Sequence, residues 1–131
     1  MDFRNAVRGY DGFLLVTPEH NRSFPAAMKN AMDTGSRPYG QNAWDGKPAA
    51  IISVTTGTLG AFGANHHLRQ MLTYLNMPAV QQPEVYISRV KERLSPEGAL
   101  PEDTRALIRS LLEALAQLVE GQPSKPPEEQ G

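Results

Sequence analysis

Short apolar runs bounded by glycine and proline divide the sequence into segments. Phe13–Thr17 and Ala49–Val54 each follow an Asp-Gly pair and contain almost no alternation of polar and apolar residues. Continuous apolar runs of this length are typical of parallel strands that are buried on both faces. We therefore predict two buried strands here, and a short third strand at residues 79–80.

Helical spacing fills the intervals between and after these runs. We predict helices that start at Pro25 and end near Gly35, that start near Ala64 and end before Pro78, and that span residues 85–94 and 101–121. The last of these has acidic residues in its first turn, where they favour the positive end of a helix. Leucine recurs in it every four residues, at Leu107, Leu111 and Leu115.

Alternating buried strands and helices predict an α/β fold with a parallel sheet and helices on both faces. We expect one domain over residues 1–120, and a disordered tail over residues 121–131, which are rich in Pro, Glu and Gln. Ligands of such sheets bind at the carboxyl ends of the strands. The loops at residues 18–24 and 55–63 are therefore the candidate binding loops.

Composition narrows the class of function. Thirteen basic and 14 acidic residues leave a net charge of −1, which does not favour nucleic acid or an anionic membrane as a partner. The lack of cysteine excludes a disulfide framework and a thiol nucleophile. No apolar run approaches the roughly 18 residues of a membrane span, and the first residues do not resemble a signal peptide. We expect a soluble, cytoplasmic protein.

Residues 55–63 form a glycine-rich loop with the spacing G-x-x-G-x-x-G. This is not the dinucleotide fingerprint, which needs two glycines one residue apart, and without lysine it is not a Walker loop. The loop offers backbone N–H groups and three threonine hydroxyls, which suit the edge of a polar ring or a developing oxyanion. The alternative is an ordinary strand-to-helix connection.

Residues 18–24 place an acid, an imidazole, an amide and a guanidinium in one turn. Asn21 or Ser23 as a helix cap with solvated charges is one interpretation, and a ligand edge contacted by Glu19, His20 and Asn21 is the other. The adjacent histidines at positions 66–67 point to different faces of a helix, so we expect exposed imidazoles and no shared metal. The spacing nominates no catalytic residue.

Four segments in the same order resemble one known family. V-T-P-E-H-N-R-S-F-P-A-A-M-K-N-A-M-D (residues 16–33) resembles a segment of the NADPH-dependent FMN reductase family. D-G-K-P-A-A-I-I-S-V-T-T-G-T-L-G-A (45–61), H-L-R-Q (67–70) and Q-P-E-V-Y-I (82–87) are similar to the same family. The resemblance covers about residues 3–120.

The resemblance implies a flavodoxin-like three-layer fold, bound FMN, and assembly as a homo-oligomer, either a dimer or a tetramer. It implies hydride transfer from NAD(P)H through the flavin to a quinone, a flavin or another small acceptor. It also implies that two loops flank the flavin ring, with Pro18, Glu19, His20 and Asn21 on one side and Thr55, Gly57 and Gly60 on the other. His20 stands where the family has tyrosine.

This sequence departs from the family at its start. Relatives begin with a strand, an FMN-phosphate loop, a helix and a second strand that have no counterpart here, so we expect about three strands of the flavodoxin order 2-1-3-4-5. The edge of Phe13–Thr17 would then be open to pairing with another chain. The alternative function is a non-catalytic flavodoxin-like remnant, an oligomerising or binding module without tight FMN.

Overall fold

The computed structural model describes residues 2–122, so the predicted tail lies almost wholly outside the described residues. No helix in this part of the chain is long and apolar enough to cross a membrane. Five helices and three strands follow one another: α1 (Phe3–Arg8), β1 (Phe13–Thr17), α2 (Ala26–Gly35), β2 (Ala49–Val54), α3 (Phe62–Tyr74), β3 (Val85–Ile87), α4 (Val90–Arg93) and α5 (Glu102–Glu120).

The three strands form a parallel sheet in the order β1-β2-β3. Their side chains divide the interior into two apolar clusters, one on each face of the sheet. The first joins the sheet to α1, α2 and α3 and contains Leu15, Ile51, Met32, Leu68 and Leu72. The second joins it to α5 and contains Ala50, Ile52, Val85, Ile87 and Leu111. The predicted α/β architecture with helices on both faces is therefore confirmed.

The predicted third strand and the helix predicted after it are both wrong. Residues 79–80 contribute only one isolated bridge, between Ala79 and Ala49. The third strand is Val85–Ile87, and only α4 (Val90–Arg93) of the predicted 85–94 segment is helical. Val85, Tyr86 and Ile87 are β-branched or aromatic, and a strand of three residues is too short for its period to be distinguished from that of a helix.

β1 has one exposed face, contrary to the prediction that both faces are buried. Leu15 and Thr17 are buried, whereas Leu14 is 39% and Val16 is 53% exposed. The register places Leu14 and Val16 beside Ala50 and Ile52, on the face that α5 covers over β2 and β3. Cover by α5 therefore stops short of β1, and the apolar face continues into solvent.

Leu14→Lys should reduce concentration-dependent self-association, because a lysine on an apolar edge strand opposes pairing with another chain. We expect the free energy of unfolding to stay within about 0.5 kcal/mol of the wild-type value, since the site is on the surface. Light scattering after gel filtration measures the association. Leu107→Lys is the matched control, because Leu107 is 38% exposed but lies on α5. Unchanged association of the Leu14 variant would contradict the prediction.

Candidate functional site

A cavity of about 380 Å³ opens at the carboxyl ends of β1 and β2. Both candidate loops contribute to it, because the carboxyl ends of parallel strands meet at one edge of the sheet. Its lining consists of Val16, Thr17, Pro18, Glu19, His20, Val54, Thr55, Thr56 and Val90. Four of the seven residues that the resemblance assigned to the flavin therefore line one cavity: Pro18, Glu19, His20 and Thr55.

The loop after β1 closes on itself in a tight turn. The His20 N–H donates to the Ser23 carbonyl oxygen at 2.7 Å, and the Ser23 N–H donates to that of His20 at 3.0 Å. Asn21 and Arg22 between them have φ values of +51° and +67°. Asparagine tolerates this left-handed conformation better than most residues. Asn21 thus shapes the turn that presents His20, and is not among the residues that line the cavity.

Glu19 fastens the first loop to the helix that follows the second. Its Oε2 accepts a hydrogen bond from the Ala64 N–H in the first turn of α3, at 3.2 Å. The carboxylate is favourably placed there, because the amino end of a helix carries partial positive charge. Gly63 permits the close approach: a Cβ at that position would lie 2.3 Å from the Arg22 carbonyl oxygen. This contact has no local signal in the sequence, because it joins residues 45 positions apart.

The glycine loop is held by its own backbone and by the segment after β3. The Gly57 N–H donates to Thr55 Oγ1 at 3.1 Å, and the Arg89 and Val90 N–H groups donate to the carbonyl oxygens of Gly57 and Thr55. Gly57 is exposed, with its nearest non-neighbouring contact at 3.6 Å from an added Cβ. Gly60 is buried, so the two glycines have different roles.

A profile of the NADPH-dependent FMN reductase family matches residues 1–92, which is more than half of the chain. The chain belongs to this family. It is 49% identical over 117 residues to a quinone reductase of Pseudomonas putida, covering 89% of this chain and 63% of that protein. A 2-hydroxy-1,4-benzoquinone reductase of a Burkholderia species is 42% identical over 115 residues, covering 87% of this chain and 63% of that protein.

Solved structures of this family type confirm the predicted flavodoxin-like fold. FerB, a flavoenzyme NAD(P)H:(acceptor) oxidoreductase from Paracoccus denitrificans, superposes with a TM-score of 0.82 at 35% identity. The match covers 91% of this chain and 66% of FerB. The chain thus spans slightly less than two thirds of the length of these relatives.

The adjacent histidines of this family member face different neighbours, as predicted. His66 Nε2 lies 2.7 Å from the Tyr86 hydroxyl, which donates to Glu84 Oε1 at 2.8 Å. His67 Nδ1 lies 2.8 Å from Ser23 Oγ on the other side of α3. Because the Tyr86 proton is donated to the carboxylate, His66 must donate to Tyr86. Residues 2–122 contain no group of three side chains suited to hold a metal ion.

Tyr86 should ionise above the ordinary tyrosine pKa, because burial and the Glu84 carboxylate raise its pKa from 10.0 to about 12. Because the pKa is raised in the folded state, the protonated Tyr86 hydroxyl contributes to the stability of the fold. This contribution is complete below pH 10 and is lost as the pH rises towards 12. Tyrosinate absorbance should therefore include a late step near pH 12.

Tyr86→Phe is the control for this titration and should remove the late step alone. Circular dichroism recorded over the same pH range establishes that the chain is still folded. Absence of the late step from the spectrum of the folded wild-type protein would contradict the prediction.

Proposed function

We propose that residues 1–120 form a flavodoxin-like domain that supplies the flavin-ring side of an FMN-dependent NAD(P)H oxidoreductase. The electrons would pass to a quinone, a flavin or another small acceptor. One observation carries this proposal: the two loops that the family resemblance assigns to the flavin meet around a single cavity. The names of the relatives, which include quinone reductases and an NAD(P)H-dependent FMN reductase of Pseudomonas aeruginosa, agree with it.

The lining of the cavity fits the ring of FMN but not its phosphate. Val16, Val54 and Val90 supply apolar surface, and Thr55 and Thr56 supply polar groups at the rim. An apolar cleft with a few oriented polar groups is the usual character of a cofactor site. None of the described residues that line this cavity is lysine or arginine. We therefore assign the ring to these loops and the phosphate to groups elsewhere.

The chain's own residues would orient the ring. Thr55 Oγ1 already accepts the Gly57 N–H, so the hydroxyl proton of Thr55 is available for an acceptor atom on the ring edge. The Gly57 N–H is engaged in this bond. The main contribution of Gly57 is therefore that, without a side chain, it lets the ring come close to the backbone. When bound, flavin supplies the hydride chemistry. The lining therefore needs no catalytic acid or base.

We propose further that the protein acts in the cytoplasm as a homo-oligomer, either a dimer or a tetramer. Exposed apolar side chains support the assembly: Leu59 in the glycine loop and Phe62 at the start of α3 line the same recess, and each is more than half exposed. Large exposed apolar side chains that lie near one another are typical of protein–protein contacts.

A second candidate function is a flavodoxin-like binding module without tight FMN. The observation that favours it is that none of the described residues lining the cavity is lysine or arginine. Each charge-assisted hydrogen bond to a phosphate contributes about 1.5–3 kcal/mol. Without such contacts, the affinity for a cofactor that would otherwise bind in the nanomolar range falls to the micromolar or millimolar range.

Titration of the protein with FMN and with riboflavin tests both functions. If the ring alone is recognised, we expect dissociation constants within about threefold of each other, since riboflavin lacks only the phosphate. Gly57→Val should weaken both by at least about tenfold, because it fills the space that the ring would approach. Quenching of flavin fluorescence measures the binding.

Ser110→Ala, on the exposed face of α5, is the matched control and should leave both constants unchanged. Oxidation of NADPH by the FMN-saturated protein, with a benzoquinone as acceptor, then distinguishes the enzyme from the module. Absence of binding to either flavin at millimolar concentration would favour the second candidate function.

A further inference from the structure

A directed series of hydrogen bonds runs through the interior from α3 to the glycine loop. Arg69 Nε donates to Asn65 Oδ1 at 3.0 Å, and Asn65 Nδ2 donates to Ser53 Oγ at 3.1 Å. Ser53 Oγ donates in turn to the Gly60 carbonyl oxygen at 2.7 Å. Every proton in the series points towards Gly60. We call Ser53, Asn65 and Arg69 the interior relay.

Two of the three members of the interior relay, Ser53 and Asn65, are fully buried. Ser53 and Asn65 are both 0% exposed, and they lie on elements whose other inward side chains are apolar. A buried polar group is costly unless it is hydrogen-bonded. Apolar residues at both positions would avoid this cost, so packing alone does not account for a serine and an asparagine that contact each other. Together, Ser53 and Asn65 provide one hydrogen bond to the glycine loop, from Ser53 Oγ to the Gly60 carbonyl oxygen.

Arg69 supplies positive charge at the start of the relay. Its Nη1 donates to the Val80 carbonyl oxygen at 3.1 Å, whereas its buried Nη2 has no hydrogen-bond partner among the described residues. No carboxylate within residues 2–122 forms an ion pair with it. The charge therefore polarises the relay towards Gly60 and strengthens each bond in it.

The end of the glycine loop needs such an anchor. Gly60 and Ala61 have φ values of +62° and +56°, so two consecutive residues adopt the left-handed region. For alanine this conformation is unfavourable and persists only when the surroundings enforce it. The outer part of the loop is bonded to the segment after β3, for example by Ser88 Oγ to the Thr58 carbonyl oxygen. The bond from Ser53 holds the inner end.

We propose that Ser53, Asn65 and Arg69 are positioning residues that set the shape of the glycine loop for the flavin ring. They do not line the cavity, and they act through the Gly60 carbonyl group. The part of this inference that concerns flavin rests on the proposed function. The part that concerns the loop does not, and it is testable in the protein without FMN.

Amide hydrogen exchange of the flavin-free protein, resolved by residue in NMR spectra, tests the relay directly. Ser53→Ala removes the donor to Gly60, and Asn65→Asp keeps the shape and the bond to Arg69 but replaces the donating NH₂ group. In each variant we expect the Gly57 and Phe62 amides to exchange at least about tenfold faster, with the amides of α5 within about twofold of wild type. In the FMN titration the dissociation constant should rise by about tenfold.

Ile51→Val is the matched control, because Ile51 is a buried neighbour on the same strand with no polar partner. It should lower the melting temperature and leave loop exchange at the wild-type rate. In the double variant Ser53→Ala/Asn65→Asp, the loop amides should exchange no faster than in the faster-exchanging single variant. The reason is that both substitutions interrupt the same series of hydrogen bonds.

Unchanged loop exchange in a folded Ser53→Ala variant overturns the inference. So does faster exchange spread evenly over the loop and α5, which would show general destabilisation. If the loop responds as expected but no variant or wild-type protein binds flavin, the relay stands and the proposed function fails.

Discussion

Gly60→Ala should lower the free energy of unfolding by about 2–5 kcal/mol. Two effects combine in this expectation. The φ of +62° at Gly60 is unfavourable for a residue with a side chain, and an added Cβ would lie 2.6 Å from the Cβ of Tyr86 on β3. Neither atom is the end of a flexible side chain, so relief requires a shift of the loop or of the strand. Urea unfolding followed by circular dichroism measures the change.

Gly57→Ala is the matched control in the same loop. No positive φ is required at Gly57, and the nearest atom to an added Cβ is Thr55 Oγ1 at 3.6 Å, an ordinary contact. We expect its free energy of unfolding to stay within about 0.5 kcal/mol of wild type. Equal losses of the free energy of unfolding in the two variants would show that the loop responds to substitution in the same way at both glycines. That result would contradict the role assigned to Gly60.

Trp44→Ala should cost about 3–5 kcal/mol of the free energy of unfolding, the usual range for removing a buried large aromatic side chain. Trp44 is only 4% exposed although it lies in an irregular loop. Its ring packs edge-on against Phe13 with a centroid separation of 4.9 Å, and its Nε1 donates to the Met32 carbonyl oxygen at 2.9 Å. The loop between α2 and β2 is therefore part of the core.

Trp44→Phe separates the two contributions of this side chain. It keeps an aromatic ring but loses the donor to Met32, so we expect a smaller cost of about 1–3 kcal/mol. Circular dichroism is the appropriate measurement, because Trp44 is the only tryptophan and its fluorescence is lost in both variants. A cost below about 1 kcal/mol for Trp44→Ala would mean that this loop is not part of the cooperative unit.

The elements with strong local patterns were predictable from the sequence. β1 and β2 have the predicted bounds, because each is an apolar run with a turn directly before it. α5 begins after Pro101 and ends at Gly121 as predicted, and the buried Leu111 belongs to its leucine repeat. The order of these segments also predicted the parallel sheet and, from the carboxyl ends of its strands, the two candidate loops.

β3 was not predictable in the same way. Its three residues become a strand because β2 offers them a hydrogen-bonding partner, with Ile52 opposite Val85 and Val54 opposite Ile87. The exposure of Leu14 and Val16 has a similar origin, since it depends on where α5 lies across the sheet. Neither effect can be predicted from the local pattern of apolar and polar residues.

The candidate site also has features that the sequence predicts and features that only the tertiary structure shows. The types of residue in the two loops predicted a ligand edge, and the carboxyl ends of parallel strands bring Pro18, Glu19, His20 and Thr55 together. Only the tertiary structure shows that Gly60 packs against Tyr86 and that Glu19 caps α3. These contacts join residues far apart in the chain, and their energies depend on distances of a few ångströms. The sequence by itself therefore determined which loops meet, whereas packing decided what each loop residue touches.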